Sequence, residues 1–253
     1  MPYHIGFEIA DLGDNQPEIA LLSGEPERTG KIAHTYLQNV KLLSKYRGLH
    51  SYLGDLAPNQ SILVATSGMG GPSTSIIVNE LIQIGIKKII RIGTCGSIQS
   101  HVKVGEIVIS QAALCRQGAA NDIAPLEYPA VADPFLTVAL VETAQKLGIN
   151  YHLGITASVD TFYEGQERIE SSANPNLQSH LLGITEQYRN LNILNYEMEA
   201  GTLLKMSGVY GFKASCVCAV VAQRNDQENI VLADKDLAVS KAIEVVIKAI
   251  DNG

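Results

Sequence analysis

The stretch "SILVATSGMGGPSTSIIVNELIQIGIKKIIRIGTCGS" (residues 61–97) carries the pattern that predicts the fold. It begins with an apolar run that ends in glycines, continues as a helical pattern over 72–85, and returns to an apolar run at 87–97. Pro72 suits the first turn of a helix, and Gly85 suits its C-terminal stop. The order strand, helix, strand is typical of proteins that surround a parallel sheet with helices.

The same alternation extends along the rest of the chain. Further strands are predicted at 17–24, 105–114, 151–159 and 214–224, and further helices at about 26–43, 134–148 and roughly 233–250. The segment "ILNYEMEAGTLL" (193–204) begins as a strand and continues as a helix. We therefore predict an α/β protein in which residues 1–253 form a single three-layer α/β/α domain around a mixed, mostly parallel central sheet.

Residues 164–187 depart from this pattern, since they are polar and weakly periodic. A long polar segment inside an α/β domain is typical of a surface excursion, and such excursions often serve as lids or binding loops.

The bulk properties exclude several functions. A formal net charge of −7 argues against a nucleic-acid or anionic-membrane surface, although a few arginines can still form a local anion site. The sequence shows neither a secretory signal pattern nor an apolar run of membrane-spanning length, so a cytoplasmic location is expected. The four cysteines form no CxxC pair, and Cys216 and Cys218 alternate within a strand as small buried hydrophobes. We expect no structural metal.

Three segments with small residues where predicted strands end favour an anion site. They are "SGEPER" (23–28), "SGMGGPS" (67–73) and "RIGTCGS" (91–97). Small residues let backbone N–H groups approach a ligand, and the side chains of Arg28, Arg91 and Thr94 add two guanidinium forks and a hydroxyl. Neither a P-loop nor a dinucleotide-binding glycine motif is present, so a phosphate-sized anion is favoured over a nucleotide cofactor.

Two explanations remain open for Glu197, Met198 and Glu199 at the point where a strand becomes a helix. Carboxylates complement the positive end of a helix dipole, which would make them structural. In open α/β sheets, ligands also bind at the carboxyl ends of strands, which would make them functional.

Six motifs together are far more specific than any one of them: "SGEPER", "SGMGGPSTS", "RIGTCGSIQ", "APLEYPAVAD", "TASVDTFYEGQER" and "NYEMEAGTLL". In this order they resemble the uridine phosphorylases of the nucleoside phosphorylase family, whose members form trimers or hexamers. The resemblance implies a nucleoside phosphorylase-like fold and reversible phosphorolysis of uridine to uracil and ribose 1-phosphate, a transferase reaction of pyrimidine salvage. It implies inorganic phosphate as co-substrate, no cofactor, and deoxyuridine-type nucleosides as further candidate substrates.

The resemblance also assigns residues to the site. Phosphate binding falls to Gly24, Arg28, Arg47, Arg91 and Thr94; ribose binding to His4, Thr94, Glu197, Met198 and Glu199; base binding to Gly96, Phe162, Gln166, Arg168 and Arg224. Within this set, Arg91, Gln166, Arg168 and Glu199 are the implied catalytic residues. His4 and Arg47 match residues that reach the site of a neighbouring subunit. A homohexamer, a trimer of dimers with shared active sites, is therefore implied.

The residue types suit these roles. An ionised Glu199 can accept both protons of the ribose diol, and Met198 offers an adaptable apolar surface under the sugar. Gln166 both donates and accepts, as uracil requires, whereas Arg168 only donates. Gln166 and Arg168 are two apart in "YEGQER", so an extended segment would project both side chains to one side, near the stacking face of Phe162.

Three alternatives stay open at this point. Purine nucleoside phosphorylases of the same fold use an aspartate in a Ser-Asp motif after the central strand; here the sequence reads "VVAQRNDQ", although Asp226 is close. A nucleosidase that uses water would leave the arginines without a purpose. A non-catalytic nucleoside-binding protein is the third. Gly48 stands where some relatives carry a glutamate that ligates an intersubunit potassium ion, which argues against that ion here.

Overall fold

The computed structural model describes residues 2–224 and 235–251. Its strands are β1 (Ile19–Ser23), β2 (Gln38–Ser44), β3 (Ser51–Ala57), β4 (Gln60–Thr66), β5 (Lys88–Ser97), β6 (Ile107–Arg116), β7 (Ala130–Val131), β8 (Tyr151–Val159), β9 (Ile193–Glu197) and β10 (Lys213–Gln223). Its α-helices are α1 (Pro26–Tyr36), α2 (Gly71–Gln83), α3 (Gly118–Ile123), α4 (Pro134–Lys146), α5 (Ile184–Asn190), α6 (Ala200–Tyr210) and α7 (Lys235–Asp251).

The described strands form one mixed sheet in the order β10-β6-β8-β9-β5-β1-β4-β3-β2, with β7 beside β6. Strands β4, β1, β5 and β10 run parallel to one another. Strands β6, β8 and β9 form a second parallel group, antiparallel to the first where β6 meets β10 and β9 meets β5. Because β10 also pairs with β5, the strands β5, β10, β6, β8 and β9 close into a ring.

Helices cover both faces of the sheet, which confirms the three-layer α/β/α prediction. Helices α1, α4 and α7 pack on one face, and α2, α3 and α6 pack on the other. The alternation of side chains in β1 separates the two cores: Leu21 lies in the first, while Ala20 and Leu22 lie in the second.

The predicted helix over 26–43 is too long. Helix α1 ends at Tyr36, Leu37 has an extended backbone, and residues 38–44 form strand β2, which pairs with β3 in an antiparallel hairpin at the sheet edge. Asn39 adopts a left-handed φ of 52°, which an α-helix does not accept. Strand β2 is largely exposed and carries no clear period-two apolar pattern, so pairing with β3 rather than its own sequence fixes its structure.

The polar segment 164–187 lies largely at the surface, as expected. It contains a 3₁₀ turn at Ser179–Leu181 before α5 begins at Ile184. Among the described residues, no helix combines the length and the apolar character that a membrane crossing requires.

Candidate active site

A cavity of about 280 Å³ lies where β1, β5, β9 and β10 meet the segment that follows β8. Most of the predicted site residues line it: Gly24, Arg28, Arg91, Thr94, Gly96, Phe162, Gln166, Arg168, Glu197, Met198 and Glu199. Glu25 of the "SGEPER" segment also lines the cavity, whereas sequence reasoning missed Met69, Cys95, Tyr196, Val221, Ala222 and Lys235. A larger cavity of about 800 Å³ beside β6 contains none of the predicted site residues.

The strand predicted over 87–97 is confirmed as β5, but the small residues of "RIGTCGS" lie within that strand instead of forming a turn at its end. Arg91 to Ser97 lie inside β5, because β10 and β9 pair with this part of the strand. A Cβ at Gly93 would lie 2.9 Å from Arg91 Cζ and 3.0 Å from Cys218 Sγ. Gly93 therefore makes room for a guanidinium and a thiol, rather than presenting a backbone amide to a ligand.

Two guanidinium groups converge at one corner of the cavity. Arg28 donates from Nη1 to the Ile92 carbonyl oxygen at 3.2 Å and forms an ion pair with Glu25 through Nη2. Burial lowers the pKa of Arg28, while the Glu25 carboxylate opposes that shift. Arg91 Nη1 is buried and has no hydrogen-bond partner among the described residues, and a Cβ at Gly24 would lie 3.9 Å from it. An anion at this corner would satisfy that unpaired donor.

Arg91 also joins this corner to the two carboxylates of "YEMEA". Its Nη2 donates to Glu199 Oε2, and its Nε lies 3.4 Å from Glu197 Oε2. Burial alone would lower the pKa of Arg91, but the carboxylates of Glu199 and Glu197 and the thiols of Cys218 and Cys216 together outweigh burial and raise it. The other oxygen of Glu199 accepts a hydrogen bond from Gly70 N at 2.6 Å. An amide of the "SGMGGPS" turn thus binds a protein carboxylate.

Glu197 holds the junction between β9 and α6. Its Oε2 accepts hydrogen bonds from the backbone N–H groups of Glu199 and Ala200, both at 2.8 Å, and its Oε1 accepts one from Ser158 Oγ. Burial raises the pKa of Glu197 to about 7. Because both oxygens already bind protein groups, the structural explanation accounts for this carboxylate, and its contact with ribose stays a prediction.

A residue that the sequence did not single out fixes the backbone around Met198. Gln117, which is fully buried after β6, donates from Nε2 to the Met198 carbonyl oxygen at 2.5 Å. Its Oε1 accepts hydrogen bonds from Thr202 N at 2.9 Å and from Thr202 Oγ1 at 3.0 Å. The only available signal was a polar residue directly after an apolar strand.

Three residues predicted to bind the base, Phe162, Gln166 and Arg168, contact one another and form what we call the base corner. Arg168 Nε donates to Gln166 Oε1 at 3.3 Å, and Arg168 Cζ lies 4.1 Å from the centroid of the Phe162 ring. Gln166 and Arg168 are each 3% exposed. The prediction that an extended segment projects both side chains to one side is wrong, however, because the segment is a turn in which Glu167 has a φ of 52°. The Glu167 carboxylate anchors this turn by accepting hydrogen bonds from the amides at the start of α5.

Arg224 lies behind the base corner and is not among the lining residues. It donates to the backbone carbonyl oxygens of Gln166 and Glu167, and its guanidinium lies 5.6 Å from the centroid of the Tyr196 ring. Burial raises the pKa of Tyr196 to about 12. A Cβ at Gly96 would lie 3.5 Å from Arg224 Cδ and 3.7 Å from Arg168 Nη2, which are ordinary van der Waals contacts. Asp226, the residue at issue for the purine alternative, falls outside the described residues.

His4 and Arg47 lie away from the cavity, on one surface patch joined by Tyr3. The His4 and Tyr3 rings are 4.9 Å apart, and Arg47 Cζ lies 5.5 Å from the Tyr3 centroid. His4 Nδ1 lies 2.7 Å from Glu80 Oε1, and the Glu80 carboxylate also accepts hydrogen bonds from the backbone amides of residues 3–5. Arg47 is exposed and has a left-handed φ of 55°, which is uncommon for a residue other than glycine.

A group of buried thiols lies directly beside Arg91. Cys216 and Cys218 are fully buried in β10, whereas Cys95 in β5 lines the cavity. Hydrogen bonds from the thiols of Cys216 and Cys95 lower the pKa of Cys218 well below its usual value, and Arg91 and Arg28 act in the same direction.

The chain is similar to known phosphorylases over nearly its whole length. Residues 18–251 match the family model described as the phosphorylase superfamily. The chain is 40% identical over 247 residues to the uridine phosphorylase of Salmonella typhimurium, covering 98% of this chain and 96% of that protein. It is 41% identical over 231 residues to that of Haemophilus influenzae, covering 91% and 90%. A DeoD-type purine nucleoside phosphorylase of Mannheimia succiniciproducens is 32% identical over 236 residues, 92% of each chain.

Proposed function

The chain belongs to the phosphorylase superfamily, and from that premise we propose that it catalyses the reversible phosphorolysis of uridine to uracil and ribose 1-phosphate. The relatives named as uridine phosphorylases support uridine over a purine nucleoside, since they reach 40% identity over nearly the full chain, against 32% for the purine enzyme. Deoxyuridine-type nucleosides are further candidate substrates. The other co-substrate is inorganic phosphate, and the proposal requires no cofactor.

The observation that carries this proposal is the unpaired Nη1 of Arg91, which faces the space left by Gly24 in the corner that Arg28 also borders. A buried donor without a partner is costly, and a phosphate oxygen would satisfy it. Two guanidinium groups in one corner repel each other until an anion binds between them, which favours a dianion such as phosphate. Thr94 lines the same cavity and adds a hydroxyl donor.

We assign the ribose to the floor of the cavity, beside Met198 and Glu199. Glu199 is held by Arg91 and by Gly70 N–H, so its carboxylate has a fixed orientation before the nucleoside arrives. A preorganised carboxylate can accept hydrogen bonds from the two vicinal hydroxyls of ribose without reordering. Because Arg91 touches both this carboxylate and the phosphate corner, the two substrates would lie next to each other. That adjacency is what displacement at C1′ requires.

The base belongs beside Phe162, Gln166 and Arg168. The C1′–N1 bond breaks as phosphate attacks from the opposite face of the sugar, and the departing uracil takes the electron pair and becomes an anion. Arg168 and Gln166 are buried donors placed where that charge develops, so they stabilise the transition state electrostatically. The phosphate dianion in turn stabilises the positive charge that develops on the sugar. Neither effect requires a covalent intermediate.

His4 and Arg47 complete the site only in an oligomer. Both lie outside the cavity of their own chain. The Tyr3 ring contacts both side chains and joins them into one surface patch, and the Glu80 carboxylate holds His4 in place. A surface patch that carries a histidine and an arginine suits delivery to the ribose 5′-hydroxyl and the phosphate of a neighbouring chain. We therefore propose a homohexamer, a trimer of dimers with shared sites. We also propose that residues 1–253 form one domain, because one sheet contains every described strand.

The test is to follow uridine cleavage by ultraviolet absorbance, with and without inorganic phosphate. The proposal predicts cleavage only when phosphate is present, with ribose 1-phosphate as the sugar product. Equal cleavage without phosphate would identify a nucleosidase instead, and tight binding of uridine without turnover would identify a binding protein. Faster phosphorolysis of inosine than of uridine would favour the purine alternative.

A further inference from the structure

Three of the four cysteines form a cluster that the proposed reaction does not use. Cys216 and Cys218 project to the same side of β10, with their Sγ atoms 3.6 Å apart. Cys95 on β5 lies in the same buried cluster as both. The Sγ atoms of Cys216 and Cys218 and a carboxylate oxygen of Glu197 all lie within 4.8 Å of one another. The sequence alone predicted Cys216 and Cys218 to be small buried hydrophobes.

We propose that this cluster, the thiol triad Cys95, Cys216 and Cys218 together with Glu197, is an inhibitory binding site for a thiophilic metal ion such as Zn²⁺ or Cd²⁺. Two thiolates on one tetrahedral zinc ion lie about 3.8 Å apart, given Zn–S bonds of ~2.3 Å. The separation of 3.6 Å between Cys216 and Cys218 therefore matches that geometry with little movement.

The charges around the cluster favour such an ion. Thiolate is the form that binds a metal, and the Arg91 guanidinium, which lies with the Cys218 thiol against the Cβ position of Gly93, favours a thiolate there. On binding, the thiol protons of Cys216 and Cys218 pass to solvent, and no atom changes oxidation state. A divalent cation with two thiolates and the Glu197 carboxylate carries a net charge of −1. Arg91, which lies 3.4 Å from Glu197, offsets that charge.

The ion would enter through the cavity. Cys95 is 4% exposed and lines the cavity, whereas Cys216 and Cys218 are fully buried behind it. Bound uridine and phosphate would cover this route. A metal ion should therefore be taken up more slowly by the enzyme with both ligands bound than by the free enzyme.

Inhibition follows from the role of Glu197. Its Oε2 holds the backbone amides of Glu199 and Ala200. A metal ion that draws this carboxylate towards the thiols would release those amides and displace Glu199 from its position beside Arg91. The ion would thus weaken nucleoside binding without occupying the nucleoside site.

The experiment is a titration of the whole protein with Cd²⁺, followed by the ultraviolet charge-transfer band of cadmium thiolates. We expect one ion per chain, loss of activity, and recovery of activity with a chelator. Cys216→Ala and Cys218→Ala, made separately so that poor folding of one variant leaves the other, should each lose the band.

Cys115→Ala is the matched control. Cys115 is 8% exposed and lies in a different cluster, so general thiol reactivity would favour it over the triad. The control should retain the band and the inhibition. Absence of the band in the unchanged protein, its persistence in both triad variants, or its loss in Cys115→Ala would each overturn the proposal.

Discussion

Arg91 and Glu199 form a buried ion pair on the floor of the cavity, although they are 108 residues apart in the chain. The pair joins the corner proposed for phosphate to the carboxylate proposed for ribose. Phosphate and Glu199 must share one guanidinium, so the position of each substrate depends on the same side chain. Changes at Arg91 should therefore affect both substrates, whereas changes at the base corner should affect only one.

Replacing Arg91 with alanine should raise the KM for phosphate and lower kcat. Loss of a buried, charged donor removes on the order of 2–4 kcal/mol of transition-state stabilisation, or roughly 30- to 1000-fold in kcat/KM. Arg91→Lys should recover only part of this, because an ammonium group cannot reproduce the two-pronged contact. Steady-state kinetics with phosphate varied would measure both, and Arg116→Ala, an exposed arginine outside the cavity, is the control. Normal phosphate kinetics in Arg91→Ala would remove the residue from the site.

Removal of the Arg168 side chain should lower kcat/KM for uridine far more than it changes the apparent affinity for phosphate. In the unchanged protein, cytidine, inosine and adenosine should be poor substrates. Cytosine would present an acceptor and an amino donor where Gln166 and Arg168 suit uracil, which costs roughly 1–3 kcal/mol per mismatched buried group. Nucleoside competition assays would measure this. Comparable kcat/KM for inosine and uridine would contradict the assignment of the base corner.

Gln117→Ala should raise the KM for uridine while leaving the KM for phosphate within about twofold. The substitution leaves the Thr202 N–H and the Met198 carbonyl oxygen buried without partners, which costs roughly 1–3 kcal/mol of folding free energy each. The backbone around Met198, beside the proposed ribose position, is then held less firmly. Gln117→Glu keeps an acceptor for Thr202 but turns a second oxygen towards the Met198 carbonyl oxygen, so it should also raise the KM for uridine. Gln145→Ala, an exposed glutamine, serves as the control. Equal increases in both KM values would indicate a general loss of folding instead.

Shared sites predict complementation between inactive chains. His4→Ala and Arg47→Ala proteins should each be impaired, because each lacks one group delivered to a neighbouring site. Oligomers of His4→Ala with Arg47→Ala should not recover, because one neighbour supplies both groups to each site. Oligomers of His4→Ala with Arg168→Ala should regain activity, since the Arg168→Ala chain delivers an intact His4 to the complete cavity of the His4→Ala chain. The two variants of each pair would be co-expressed with different tags and purified through both. Oligomers of His4→Ala with Arg168→Ala that form but show no recovery would place His4 outside the active site.

Glu197→Gln should gain stability relative to the unchanged protein as the pH rises. Because burial raises the folded-state pKa of Glu197 to about 7, from a usual value of 4.5, folding favours the protonated carboxyl group. The stability that this preference supplies is complete below about pH 4.5 and is lost as the pH rises through about 7. Glutamine resembles the protonated form at every pH. The difference in Tm between the variant and the unchanged protein should therefore grow over this range, and a constant difference would contradict the prediction.

Periodicity was sufficient to predict most strands of the sheet and the longer helices, but it missed β3, α3 and α5. The predicted strand over 151–159 coincides with β8, and the helix predicted over 72–85 differs from α2 by one or two residues at each end. Strand β2 was missed because it is an edge strand whose exposed residues carry no clear pattern, and its structure depends on pairing with β3. Local pattern cannot supply such a non-local partner.

The candidate site was predicted better as a set than in its details. Motif resemblance brought together the residues of the cavity, but it did not show how each side chain is held. Gln166 and Arg168 touch because Glu167 adopts a left-handed turn, not because the segment is extended. Gln117 and Glu80 escaped notice because each acts through hydrogen bonds to backbone that is 75 to 85 residues distant in sequence.

The ring of β5, β10, β6, β8 and β9 has a consequence for the order of folding. It closes only when β9 and β10, late in the chain, join β5, and the bond from Gly70 to Glu199 spans 129 residues. Pairing such distant segments requires closing a long loop, and this lowers the chain entropy before any contact stabilises the pair. These pairings therefore form late. The nucleoside cavity cannot exist before that step. Uridine and phosphate should therefore slow unfolding strongly while leaving the refolding rate nearly unchanged.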